Sequence, residues 1–91
     1  MAKRKIIWSN RAIKRLYGIL EYNDQGNENR TYSKKLYQLL QKHIKVLIKF
    51  PEIGLKTNTD TARGLIVEDY IMYYQITDDK IIIHTISSFG R

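Results

Sequence analysis

Apolar residues along the chain follow two helical stripes, which a short polar segment separates. They recur at three-to-four spacing over residues 12–20 and again over residues 36–48, which predicts two amphipathic helices. Turn-forming residues 23–27 lie between the stripes, and the first helix is expected to end near Asn23. Pro51 ends the second helix because proline cannot donate the helical hydrogen bond. Two helices joined by a short loop predict an antiparallel hairpin.

The remaining segments are rich in β-branched and aromatic residues, which favour strands. One short segment, Lys5–Trp8, precedes the first helix, and residues 63–67, 70–77 and 80–87 follow the second. The last three are separated by acidic pairs that suit tight turns, so we expect a three-stranded antiparallel meander. The predicted fold is therefore α+β, one domain over residues 1–91, with an N-terminal strand, a helical hairpin and a meander.

The two faces of the meander are expected to differ in what covers them. If Asp78 and Asp79 form a two-residue turn, alternate residues of the two flanking strands share a face. Two helices can cover only one face, and the other would be apolar yet exposed, as surfaces for a partner or substrate are. A register shifted by one residue would exchange the two faces. The face expected beneath the helices carries Met72, Tyr74, Ile76, Ile81, Ile83 and Thr85. The face expected to be exposed carries Ile71, Tyr73, Gln75, Ile82, His84 and Ile86.

Composition and charge narrow the classes of protein. The chain is 43% hydrophobic and 11% aromatic, which is typical of a globular protein. Residues 1–49 carry a net charge of +9 and residues 50–91 a net charge of −2, which favours a polyanionic partner for the first half over a merely solvated surface. The chain has no cysteine and only two histidines, so neither a disulfide nor a metal or other cofactor is expected. No signal peptide or membrane span is recognisable, so we expect a cytoplasmic protein.

Four stretches, in this order, resemble the RelE/ParE family of bacterial toxins. They are residues 6–12 (IIWSNRA), 50–54 (FPEIG), 70–83 (YIMYYQITDDKIII) and 86–91 (ISSFGR). The resemblance implies the toxin of a type II toxin–antitoxin system, held inactive by a cognate antitoxin. RelE-type members of the family cleave messenger RNA on the ribosome without metal, and ParE-type members inhibit DNA gyrase without catalysis. Ribosome-dependent cleavage by an endoribonuclease is the favoured expectation. Gyrase inhibition and a non-toxic, antitoxin-binding relative are the alternatives.

Cleavage of this kind activates a ribose 2′-hydroxyl against the adjacent phosphate, and it needs a base, an acid and cations. The resemblance implies that Arg91 binds the phosphate, because a guanidinium fork matches two phosphate oxygens. Arg63 lies near where RelE-type members have basic residues, and His84 is a candidate base or acid, since imidazole is the side chain suited to that role near neutral pH. The plainer alternatives are a solvated terminus for Arg91, a surface arginine for Arg63 and a structural histidine for His84.

Further residues are candidates for binding RNA or a protein partner. Lys56 precedes the meander, and Tyr73 offers a ring on which a base can stack. A gyrase inhibitor should depend instead on the helical hairpin, whose first helix carries three cations. Ile71 stands where RelE-type chains often have an arginine, and this departure weakens the cleavage hypothesis. The three cations are Arg11, Lys14 and Arg15.

Overall fold

The fold follows the predicted order of elements, with one short strand added. The computed structural model describes residues 3–26, 31–59 and 61–88. The first helix extends to Gly26, beyond the expected end at Asn23, because asparagine and aspartate each cost a helix less than about 1 kcal/mol. The elements are β1 (Lys5–Trp8), α1 (Asn10–Gly26), α2 (Thr31–Lys49), a 3-10 turn (Pro51–Ile53), β2 (Leu55–Lys56), β3 (Ala62–Val67), β4 (Tyr70–Ile76) and β5 (Lys80–Ser88).

The strands form a single sheet in the order β1-β5-β4-β3-β2, and strands β3, β4 and β5 form the expected antiparallel meander. The N-terminal strand β1 lies parallel to β5, with Lys5 beside Lys80 and Trp8 beside Ile83. Strand β2 was not predicted, because two residues give no recognisable period. It extends the sheet beyond β3 at the opposite edge from β1.

Ser9 joins β1, α1 and β5. Its hydroxyl accepts a hydrogen bond from the amide of Ala12 at 3.0 Å, which is the geometry of a helix N-cap. The same hydroxyl donates to the carbonyl of His84 at 2.8 Å, and the Ser9 amide donates to the carbonyl of Ile83 at 3.0 Å. One serine therefore starts the helix and fixes it to the last strand.

The helices cover one face of the sheet, as predicted, and the core lies between the two layers. Helix α1 contributes a narrower stripe than its sequence indicated, since Ile13 is exposed by 37% and Tyr17 by 67%. Both lie beside the buried stripe and face solvent. None of the described helices is long and apolar enough to cross a lipid bilayer. The buried core residues are Ala12, Leu16, Ile19, Leu36, Leu40, Ile44, Leu47, Leu65, Val67, Met72, Tyr74, Ile81, Ile83 and Ile86.

The expected assignment of faces is correct near the turn and wrong beyond it. The amide of Thr77 bonds the carbonyl of Lys80 at 2.8 Å, which confirms the two-residue turn. The register then shifts at a β-bulge, where Tyr74 pairs with Ile83 but Tyr73 pairs with Thr85. The extra residue reverses the alternation of β5. Ile86, expected on the exposed face, is therefore buried with only 1% exposure, and Thr85 leaves the core face.

Candidate functional site

The face of the sheet opposite the helices is not covered by any described part of the chain, and we call it the open face. Its side chains are exposed or half-buried, although half of those named below are apolar or aromatic. Two lysines, Lys5 and Lys80, lie on it at the end nearest the turn of Asp78 and Asp79. The open face carries Lys5, Ile7, Ile66, Ile71, Tyr73, Gln75, Lys80, Ile82, His84 and Thr85.

His84 lies on the open face at the bulge, where the sequence placed it. Its Nε2 lies 3.0 Å from Oε1 of Gln75, which is a hydrogen-bond distance, and the ring is exposed. Tyr73, half-buried, lies beside Thr85 on the same face. Solvent can therefore reach both candidate side chains. In the described ranges, no three histidine, cysteine or acidic side chains lie together as a metal site requires.

Arg63 lies on the other side of the sheet from His84. It pairs with Tyr74, whose side chain points into the core. Its Nη1 donates to the carbonyl of Glu52 at 3.1 Å and to that of Gly54 at 3.0 Å. The guanidinium therefore fixes the turn that follows α2. The structure does not bring Arg63 and His84 together at one site.

Tyr74 fixes the same turn from inside the core. Its ring is fully buried, and its hydroxyl donates to the carbonyl of Pro51 at 2.7 Å and accepts from the amide of Gly54 at 2.9 Å. Burial raises the pKa of the Tyr74 phenol above its usual value, and the bond from Gly54 opposes that shift. A side chain at position 54 would clash with the Tyr74 phenol, so a glycine is needed there. This role of Tyr74 was missed, because a sequence does not show which tyrosine reaches back to a distant turn.

The other candidates are dispersed. Lys56 is exposed on β2 at the sheet edge, beside Arg63. Arg91 lies outside the described residues, so its predicted role in binding phosphate stays a prediction.

The three cations of α1 are exposed near the start of the helix, where the sequence predicted them. Arg15 lies against the sheet, because its Nε donates to the carbonyl of Ile86 at 2.9 Å. Arg11 and Lys14 remain directed to solvent. Because α1 and α2 pack together across a short connection, they run antiparallel, so Arg11 and Lys14 lie at the same end of the hairpin as Lys49. This end is a basic surface.

An open cleft of about 550 Å³ lies at the other end of the hairpin, between the helices and the ends of β4 and β5. Three tyrosines line it, together with one cation and one carboxylate. This balance of charge selects neither an anion nor a cation. These charged and tyrosine residues are Arg15, Tyr22, Tyr32, Asp69 and Tyr70.

A second exposed apolar surface was also missed. Phe50, Ile53 and Leu55 are exposed by 60%, 46% and 58% in and beside the turn after α2. The signal in the sequence is three large apolar residues around a proline, with neither a helical nor a strand period.

The structure is similar to those of several bacterial toxins. It matches the chromosomal ParDE toxin–antitoxin system from P. aeruginosa with a TM-score of 0.81 and 16% identity, covering 97% of this chain and 98% of that one. It matches the YoeB dimer from Staphylococcus aureus at 0.66 and 17%, covering 99% and 100%. For the E. coli DinJ–YafQ toxin–antitoxin complex the values are 0.61 and 16%, covering 94% and 92%. No curated protein gave a significant sequence match.

These likenesses show the fold, which is the α+β fold of the ParDE and YoeB structures. The family model of the ParE toxin of the type II toxin–antitoxin system parDE matches residues 6–89, which is nearly the whole sequence. The chain therefore belongs to the ParE toxin family, and the family resemblance inferred from the sequence is confirmed.

Proposed function

We propose that this toxin inhibits growth by binding DNA gyrase stoichiometrically, and that a cognate antitoxin holds it inactive. The antitoxin is supported by the solved neighbours, whose descriptions name toxin–antitoxin systems and complexes. Gyrase is the target that the ParE branch of the family implies. Inhibition by binding needs a surface and no catalytic group.

The observation that carries the proposal is the placement of Arg63 and His84 on opposite faces of the sheet. Cleavage of RNA requires a base and a cation within hydrogen-bond reach of one phosphate and its 2′-hydroxyl. Arg63 instead bonds two backbone carbonyls of a turn on the helix side. A side chain held in this way cannot reach a phosphate on the open face.

The charge of the open face supports the same conclusion. Its described cations are Lys5 and Lys80, both next to the acidic turn, and Lys80 lies 3.7 Å from Asp79. Around Tyr73 and Ile82 the face carries Gln75, His84 and Thr85 and, among the described residues, no lysine or arginine. Such a surface suits a protein segment better than a phosphate backbone, which proteins bind through lysine and arginine.

The basic charge lies instead on the helical hairpin, which therefore supplies the surface for the target. Arg11 and Lys14 are exposed there and are not engaged in the core. Exposed cations around an interface raise the rate of association with an acidic surface and make it depend on salt.

The test compares the two activities with purified components. The toxin is titrated against gyrase in a supercoiling assay and, separately, added to a reconstituted translation reaction in which cleavage of the message is read. We expect supercoiling to fail near one toxin per binding site and the message to stay intact. Reversal of charge in Arg11→Glu/Lys14→Glu should weaken inhibition, whereas the matched reversal Lys34→Glu/Lys35→Glu, at the other end of the hairpin, should not.

The outcomes decide between the candidate functions. Toxin-dependent cleavage on ribosomes, with supercoiling intact, would overturn the proposal in favour of a RelE-type nuclease. A chain that leaves growth unaffected when expressed without antitoxin would be a non-toxic relative.

A further inference from the structure

The turn after α2 presents a pair of exposed apolar side chains, which we call the turn patch: Phe50 and Ile53. Each is a large apolar residue exposed by about half. Phe50 and Ile53 lie together, since both line one shallow depression, which Lys49, Pro51 and Glu52 also border. Apolar side chains clustered in this way on a small protein mark a surface for another molecule.

The turn patch is held rigidly from below. The amide of Phe50 bonds the carbonyl of Val46 at 2.8 Å, and the amide of Ile53 bonds the carbonyl of Phe50 at 3.2 Å. Tyr74 and Arg63 together make four further hydrogen bonds to the backbone of residues 51–54. The exposed side chains therefore stand on a fixed backbone. Binding through them costs little ordering, which is the condition for a high-affinity contact of small area.

The surroundings of the turn patch are basic. Lys42, Lys45 and Lys49 lie three and four residues apart along one face of α2, all exposed, and Lys49 borders the same depression. Lys56 follows the patch on β2. Between residues 42 and 56 the sequence has four lysines and a single acidic residue, Glu52, which lines the depression. An apolar centre with a basic rim is complementary to an apolar recess bordered by carboxylates.

We infer that the turn patch is the contact by which the toxin docks on its target protein, inserting Phe50 and Ile53 into an apolar recess with an acidic border. The inference rests on the proposed function and names the docking element of that binding surface. The turn patch lies at the basic end of the hairpin, the same end as Arg11 and Lys14, which the target is proposed to contact.

Two other occupants fit less well. A second copy of this chain would bring the same lysines against one another, and like charges at an interface repel. An antitoxin segment that wraps around the toxin finds a longer surface on the open face, which spans the five strands of the sheet. The preformed turn instead matches a preformed recess on a folded partner.

The test uses the full chain with two exposed residues changed, Phe50→Ser/Ile53→Ser. The matched control is Tyr37→Ser, since Tyr37 is an aromatic residue of the same hairpin with 44% exposure. For each variant we measure growth inhibition, the concentration that half-inhibits gyrase supercoiling, antitoxin affinity and the oligomeric state. The double variant should lose inhibition at least about tenfold, equivalent to about 1.4 kcal/mol. Its affinity for the antitoxin and its thermal stability should stay those of the wild type and of the control.

A second variant tests the acidic border by charge instead of by shape. Lys45→Glu/Lys49→Glu should weaken inhibition and remove its dependence on salt, while antitoxin binding is retained. Because both lysines are exposed, folding does not depend on them.

Four results would overturn the inference. Full growth inhibition by Phe50→Ser/Ile53→Ser would show that the target is contacted elsewhere. A loss of antitoxin affinity with inhibition retained would assign the turn patch to the antitoxin, and a wild-type dimer that the double variant breaks would assign it to a second copy. If the wild type inhibits growth while supercoiling is intact, gyrase is the wrong target. The growth inhibition that remains in Phe50→Ser/Ile53→Ser then tests the turn patch. A wild type without any toxicity would overturn both proposals.

Discussion

Replacing Tyr74 by phenylalanine should destabilise the toxin through two hydrogen bonds while leaving its packing intact. The ring is fully buried and would keep its place, so no large cavity forms. The carbonyl of Pro51 is partly exposed and can bond water, at a loss of about 1 kcal/mol. The buried amide of Gly54 would have no partner, which costs about 1–3 kcal/mol. The expected loss is therefore about 2–4 kcal/mol in the free energy of unfolding.

This loss is large for a domain of 91 residues, whose total stability is of the order of 5–14 kcal/mol. It corresponds to a fall of about 10–25 °C in Tm. Urea and thermal unfolding measure it, and hydrogen exchange at the Gly54 amide should accelerate. Tyr73→Phe is the control, because Tyr73 lies half-buried on the open face, and its effect should stay within about 0.5 kcal/mol. If Tyr74→Phe were as stable as this control, the two hydrogen bonds of the Tyr74 hydroxyl would not stabilise the turn as argued.

The stability difference between the wild type and Tyr74→Phe should depend on pH. Burial raises the pKa of Tyr74 in the folded protein, so the unfolded chain releases this proton first as pH rises. The contribution of the phenol is fully present below the unfolded pKa, about 10, and is lost as pH rises through the folded pKa. The difference in stability between wild type and Tyr74→Phe should thus be constant from pH 7 to 9 and shrink above about pH 10. A difference that stays constant up to pH 11 contradicts the raised pKa.

Four further substitutions probe the scaffold, each followed by urea unfolding. Gly54→Ala should cost about 2–3 kcal/mol because the added methyl would lie 2.7 Å from the buried ring of Tyr74, which two hydrogen bonds hold in place. Gly64→Ala should cost less than about 1 kcal/mol, since its methyl meets the mobile end of Ile71, 2.6 Å away on the open face; equal costs would contradict this contrast. Ser9→Ala should lose about 2 kcal/mol, as it removes the helix cap and a bond to β5; a loss below 0.5 kcal/mol would exclude that role. Arg63→Ala should lower stability by about 1 kcal/mol because it removes two hydrogen bonds to the turn after α2; a stability equal to that of the wild type would contradict that role.

The architecture could be predicted from the sequence because its signals are local. The stripe of α2, the stop at Pro51 and the two acidic turns each depend on residues close together in the chain, and the structure confirms them. The parallel placement of β1 beside β5 is a contact between distant segments, and no local pattern specifies it. The two-residue strand β2 is too short to show a period.

The functional residues were harder to predict because their roles depend on register and direction. One extra residue in β5, at His84, reverses the face of every residue that follows, so Ile86 is buried where exposure was expected. Arg63 was recognised by its charge, yet its direction follows from the turn that it bonds across eleven residues. The exposed turn patch could not be found by a search for catalytic residue types, because apolar residues carry it.

The pairing of the first strand with the last has a consequence for how the toxin is made. Ser9 and His84, which bond each other, are 75 residues apart, so the contact forms only after β5 has been synthesised. At ribosomal rates the hairpin precedes that strand by a time on the order of seconds. During this interval the apolar stripes of both helices have no sheet to cover them, and the bonds from Arg63 and Tyr74 to the turn after α2 cannot form before β3 and β4 have been synthesised. The nascent chain therefore exposes apolar surface to other proteins before the folded toxin exists.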